Sequence, residues 1–374
     1  MKTFALFLLF TIASIFFVHA EEEIISYEYA AERVVANSLA ISDIEARILP
    51  MKSRAAAINL VLFWLERRYV PQTIPQNNRE LQGELWRLDS MYSEQARENM
   101  VRETRRDLAR LRREIEDLEL QKANTALSVE NQLRTAIFSY IDAKNSVEIL
   151  KNELLIEEEN FNHLNIRYGF GMVSRNTIRL AEINLNQLKL RLEESLLNLD
   201  SLSRNLSLLL NLDYEVYIEI DTDISFEEDE NAIIMSPTIR RLQIAVDGRS
   251  ADLQSFLFET RHHSETGSQR NTLEYNYNRA ITELNRAINT MQNSLYNGIN
   301  ELGTLTAGRV NLYAELENAL NNLEVAYLNL SLGRITDHSL NQTRLNIQRI
   351  EQRLERNSMQ IWLLIFRLQN PSLL

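Results

Sequence analysis

The sequence contains no cysteine. Disulfides, thiolate catalysis, Cys-ligated zinc and a lipidated N-terminal cysteine are therefore excluded. Turn formers are scarce, with 9 glycines and 5 prolines in 374 residues. Average usage is roughly 7% and 5%. A β-sandwich or an α/β enzyme needs many tight turns, so the composition favours long uninterrupted helices. Basic excess is lacking too. The net charge of −12 disfavours nucleic acid as a partner, because phosphate binding runs on basic charge. No GxSxG, Walker loop or GxGxxG occurs. The carboxylates sit three or four positions from Arg or Lys, as helix-supporting pairs do, and no two stand out as an acid/base pair. An enzyme is not expected, nor a cofactor. His262 and His263 are adjacent in a polar loop without a third ligand, so a metal site is not expected.

Apolar residues make up 45% of the chain, enough for a sizeable core. Residues 1–20 read as a secretory signal peptide. Lys2 is a minimal basic region, Thr3 to Phe17 is almost all apolar, and Val18-His19-Ala20 is an A-x-A-like cleavage site. No later run reaches the roughly 18 apolar residues of a membrane helix. Ala55 to Leu65 and Ile361 to Leu368 are read as buried helix faces.

No proline lies between Pro75 and Pro237, and no glycine between Gly83 and Gly169. A helix across the second span would be roughly 130 Å long at 1.5 Å per residue. Such a rod belongs in a coiled-coil hairpin or a tube wall. The chain also repeats. Shifted by 162 positions, Gly171 falls on Gly333, Val173 on Ile335, Ser174 on Thr336, Leu188 on Ile350 and Glu193 on Glu355. The stripe Leu185, Leu188, Leu192, Leu196, Leu199, Leu202, Leu206 is matched by Ile347, Ile350, Leu354, Ser358, Ile361, Leu364, Leu368. Upstream, Leu133 matches Leu295 and Ile137 matches Ile299. Each half is thus helix, Gly-containing turn, helix. In both turns a glycine can supply a left-handed C-cap, and Ser174 or Thr336 can N-cap the returning helix.

A shorter helix opens each half: Ser26 to Arg68, expected to bend at Pro50, and Pro237 to about Arg261, capped by Ser236. Tyr214 to Phe226 alternates like a strand, and the acidic run Glu227 to Glu230 follows as a solvated linker. The expected organisation is a signal peptide (1–20), a first helical repeat (21–213), a short strand and acidic linker (214–235) and a second helical repeat (236–374). Arg102 to Arg113 is a local basic patch. It reads as a charged outer face of the long helix, with a phosphate or lipid role as the alternative.

This arrangement resembles the TolC-like outer membrane efflux proteins. The match is clearest at Arg167-Tyr168-Gly169-Phe170-Gly171-Met172-Val173-Ser174 and the Leu-rich helix that follows; the second copy, from Leu332, fits more loosely. The fold class implied is mainly α, with duplicated coiled-coil hairpins of an α-barrel protomer and a short β segment between the halves. The resemblance further implies a homotrimer in the cell envelope, outer membrane or periplasm, acting as a passive conduit. Its partners would be a periplasmic adaptor and an inner-membrane pump. The tip residues Arg167, Gly169, Gly171, Met172, Val173 and Ser174, with Leu332, Gly333, Arg334, Ile335 and Thr336, would meet the adaptor. Thr177 and Ser339 depart from the pattern, where an acidic residue is usual. So does the barrel region. Only His262 to Asn271 separates the helices of the second half, and two membrane strands of roughly 9–11 residues do not fit there. Val70 to Asn78 reads as a loop. The tunnel is thus expected to be retained and the barrel lost. The alternative reading is a secreted coiled-coil scaffold of the envelope without channel activity.

Overall fold

Long helices dominate because little in the sequence can stop them. The computed structural model describes residues 23–67, 94–212, 216–222, 225–227, 229, 231–259 and 267–374. In chain order the elements are β1 (Glu23–Ser26), α1 (Tyr27–Ala36), α2 (Leu39–Arg67), α3 (Glu94–Gly169), α4 (Arg175–Leu210), β2 (Val216–Glu219), α5 (Ala232–Met235), α6 (Pro237–Glu259), α7 (Gly267–Ser331) and α8 (Asp337–Gln369). A single 3-10 turn, Pro371–Leu373, follows. Most of the long glycine-free span is one helix: α3 has 76 residues, about 114 Å of rise.

The chain divides into two compact units. The first comprises Met1–Asn37, Gln132–Ile224 and Leu305–Leu363. In it, segments of four helices line up side by side. Lys189 of α4 pairs with Glu158 of α3 at 2.9 Å. Arg356 of α8 holds Asp142 of α3 through two hydrogen bonds of 2.7 and 3.0 Å. Gln352 donates to Ser146 Oγ at 2.7 Å, and Asn152 to Gln348 Oε1 at 3.0 Å. Between α8 and α7, Ile347 and Ile350 pack with Ala319, flanked by Leu316 and Leu323, and Arg353 pairs with Glu315 at 2.8 Å. These contacts order the row α4–α3–α8–α7, with α4 and α7 at its edges.

The same unit closes on the start of the chain. β1 pairs in parallel with β2, placing Ile25 opposite Ile218, and both are buried. Ser26 then caps α1, its Oγ accepting from Tyr29 N–H at 3.3 Å. Trp362 meets the Tyr27 ring edge-on at 5.3 Å. The Arg134 guanidinium lies 4.5 Å from the Tyr27 centroid and 4.2 Å from that of Trp362, a double cation–π contact. Arg33 of α1 donates to the carbonyls of Leu210 and Asn211 at 2.7 and 3.1 Å. Those are end carbonyls of α4, which need outside donors.

The second unit comprises Ser38–Asn131, Ser225–Thr304 and Leu364–Leu374. Here α2 packs on α3 through Ile44, Ile48, Leu111, Ile115 and Leu118. Lys52 with Glu119 and Lys122 with Glu45 flank that core at 2.6 and 2.5 Å. Arg241 of α6 grips Asp117 of α3 at 2.9 and 3.2 Å. Ser236 caps α6 as expected, accepting from Ile239 N–H at 3.4 Å. Gly298 lets α7 approach the end of α8, since a Cβ there would stand 2.7 Å from Leu368 Cδ2.

Several expectations need correction. The first short helix breaks at Asn37–Ser38, where Asn37 closes α1 by donating to Arg33 O at 3.0 Å. Pro50 lies inside α2, on an exposed face where water can serve the carbonyl that lost its donor. Among the described residues of the expected strand Tyr214 to Phe226, only the four of Val216–Glu219 are strand. Its partner β1 overlaps the acidic stretch after residue 20, which carries no strand signal. The turn of α5 replaces the end of the expected linker. Among the described residues, Leu39–Glu66 is long and apolar enough to cross a membrane by length and composition alone. Lys52 and Arg54 interrupt that stretch and hide it from a search for unbroken apolar runs. Nor is Ala55 to Leu65 a buried face: Leu65 is buried, while Leu60 and Phe63 are exposed. Ile361 to Leu368 is buried as expected, apart from partly covered Leu363 and Arg367. The signal peptide, the Val70 to Asn78 loop and the His262-His263 pair lie outside the described residues.

Candidate interaction site: two matched tips and two uncovered edges

Both inter-helix turns belong to the first unit, and both use the same hydrogen bonds. After α3, Gly171 takes φ +69°. Its N–H donates to Tyr168 O at 2.8 Å, and Met172 N–H to Arg167 O at 2.9 Å. After α7, Gly333 takes φ +65°. Its N–H donates to Leu330 O at 2.9 Å, and Arg334 N–H to Asn329 O at 2.8 Å. This is the Schellman closure, which needs a left-handed residue and so favours glycine. Gly169 is different, because it is the last residue of α3 rather than the left-handed one.

The returning helices start alike. Ser174 Oγ accepts from Thr177 N–H at 3.2 Å, and Thr336 Oγ1 from Ser339 N–H at 3.3 Å. Thr177, in place of the usual acid, shares a hydroxyl hydrogen bond of 2.9 Å with Ser174. The tips are thus well-bonded loops with side chains displayed. Arg167, Met172, Leu332 and Arg334 are exposed, while Val173 and Ile335 are half-buried. The sequence-derived tip set includes Leu332 but omits Phe170, its counterpart in the first copy. Phe170 is 77% exposed, the most of any large apolar residue at either tip. The 162-residue shift is the signal that points to it.

The edges of the row carry the second feature. On α4, Leu180, Ile183, Leu190 and Leu197 are exposed, and 183, 190 and 197 are seven apart. On α7, Val310, Tyr313, Leu320 and Tyr327 are exposed, and 313, 320 and 327 are seven apart. Seven-residue spacing keeps side chains on one helix face against a supercoiled neighbour. Inside the row the contacts of α3 include Asp142, Ser146, Asn152 and Glu158. Exposed apolar residues thus line both edges of the row. Among the described residues, no group of three or more His, Cys, Asp or Glu could hold a metal.

Comparison of the sequence with protein families and with curated proteins finds no match. Comparison with solved structures does. The chain is similar to a membrane protein from Pseudomonas aeruginosa at 13% identity and TM-score 0.65, covering 95% of this chain and 93% of that one. It is similar to the outer membrane protein VceC from Vibrio cholerae at 12% identity and TM-score 0.62, covering 92% and 96%. It is also similar to the open state of the Neisseria gonorrhoeae MtrE outer membrane channel at 10% identity and TM-score 0.62, covering 92% and 88%. The fold is therefore that of the TolC-like channels: duplicated helical hairpins of an α-barrel protomer, with a short two-stranded parallel segment.

Proposed function

We propose that this chain is the protomer of a trimeric, passive TolC-like conduit in the cell envelope. Its two tips dock on a periplasmic adaptor that serves an inner-membrane pump. The observation that carries this reading is the pair of uncovered seams on α4 and α7. They lie at opposite edges of one row, so α7 of one copy can cover α4 of the next. Head-to-tail contacts of that kind generate a closed ring when the rotation between copies closes. The tips, displaying Phe170, Met172 and Leu332, suit docking on a helical hairpin.

Seven residues, 260–266, separate α6 from α7. That is fewer than the roughly 9–11 residues of a single membrane strand. That observation favours a conduit without a full barrel, and it is also what supports the second reading, an envelope scaffold without a channel. Negative-stain imaging of the purified mature protein, with and without detergent, separates them. A hollow trimeric cylinder is expected; a monomer or a solid antiparallel rod would sink the conduit. For the tips, Gly171→Lys and Gly333→Lys should abolish crosslinking to the adaptor. Met172→Asp with Arg334→Glu should do so without straining the turns. Unchanged crosslinking in both sets would remove the tips from the interface.

A further inference from the structure

The second unit contains a cleft of about 440 Å³ bounded by α2, α3 and α6. Five arginines line it: Arg47 from α2, Arg110 and Arg113 from α3, and Arg241 and Arg249 from α6. Three carboxylates share the walls, Glu114, Asp117 and Asp252. The local balance is therefore positive in a chain of net charge −12. Arg241 is committed to Asp117 through its two hydrogen bonds. Arg47, Arg110, Arg113 and Arg249 make no hydrogen bond or ion pair with any described residue.

Four unpaired guanidinium groups around one concavity repel one another, and a concave wall concentrates their field. A multivalent anion removes that repulsion and supplies acceptors for planar, bidentate donors. Elsewhere the basic patch is already engaged. Arg105 pairs with Glu66 at 2.6 Å and Arg112 reaches Asn59 at 3.5 Å. Gly248 lies beside Arg113, where a Cβ would stand in ordinary contact 3.8 Å from Arg113 Nε. Met51, Leu118 and Ile244 add an apolar strip able to take a short hydrocarbon portion.

We propose that this cleft is a binding site for a phosphate-bearing anion, held by Arg47, Arg110, Arg113 and Arg249, independent of whether the chain forms a conduit. The test is titration calorimetry of the full mature protein with inorganic pyrophosphate at ~50 mM salt, where screening is modest. Saturable binding is expected. Arg113→Gln with Arg249→Gln should weaken it about tenfold or more, the loss of charge-assisted bonds. Glu114→Gln with Asp252→Asn should strengthen it, because two unpaired carboxylates would leave. This second pair keeps the test readable should the first fail to fold. Absent binding, or binding that neither pair alters, overturns the proposal. Flotation with phosphatidic acid vesicles separates the sources. Co-flotation lost in the arginine pair assigns the site to a lipid headgroup. Pyrophosphate binding without co-flotation assigns it to a soluble phosphate ligand.

Discussion

The two return helices, α4 and α8, invite comparison. They share the N-cap chemistry, the preceding Schellman turn and nearly the same apolar spacing. Yet within the first unit α8 buries Leu340, Leu345, Ile347, Ile350, Met359, Ile361 and Trp362, whereas α4 buries only four large apolar residues, Leu185, Leu188, Leu206 and Leu210. The difference follows from position. α8 stands inside the row, with α3 on one side and α7 on the other. α4 stands at the edge, and Leu197 and Leu208 are left 67% and 77% exposed. One periodic pattern thus serves two purposes: a filled core where two neighbours exist, and an open seam where only one does.

The sharpest way to break this comparison is a truncation in each helix. Trp362→Ala removes a side chain only 2% exposed and its ring and guanidinium contacts. The expected cost is about 3–5 kcal/mol, read as a fall in Tm and in the chemical denaturation midpoint. Leu197→Ala on α4 should cost less than about 0.5 kcal/mol in the isolated chain. Equal losses would mean that α4 is not an edge. Next in size is the assembly effect. Leu190→Asp with Leu197→Asp should leave the helical circular dichroism intact and abolish the oligomer in sedimentation velocity. An unchanged oligomer would show that this seam is not an interface.

The two tips sharpen the comparison from the other side, because there the copies should behave alike. A Cβ at Gly171 or Gly333 would meet nothing within 4 Å. Gly171→Ala and Gly333→Ala should therefore each cost about 1–2 kcal/mol, from left-handed backbone strain alone. A cost at one tip only would point to contacts peculiar to that copy. At the tips the caps are expected to matter less than the glycines. Ser174→Ala and Thr336→Ala should each cost about 1 kcal/mol, measured by thermal melts and by hydrogen exchange in the first turn of α4 and α8.

Much of the tip is legible in the residues themselves. Gly171 and Gly333 stand out because a left-handed residue closes a helix that way, and Ser174 and Thr336 because a hydroxyl can satisfy the first free N–H groups. Those requirements are local, and the repeat prints them twice. Phe170 escapes a search for matching residue types, because Phe does not match Leu332. β1 is illegible because Glu23–Ser26 is too short to show a period and is a strand only by pairing with β2, far along the chain. Pro50 misleads, because a proline signals a break only where the lost hydrogen bond cannot be replaced.

The arginine cleft shows the same limit. Arg110 and Arg113 are visible as part of a basic patch on one helix. Arg47 and Arg249 are not, since helix packing brings them in from remote positions. The local terms, backbone freedom at glycine and proline, capping hydroxyls and the period of the apolar residues, belong to the chain itself. They dictated the long helices, both turns and the duplication. Which apolar face is covered, which arginines meet and which helix stands at an edge depend on neighbours distant in sequence. Burial and charge pairing are properties of packed helices, so only the folded chain could settle them.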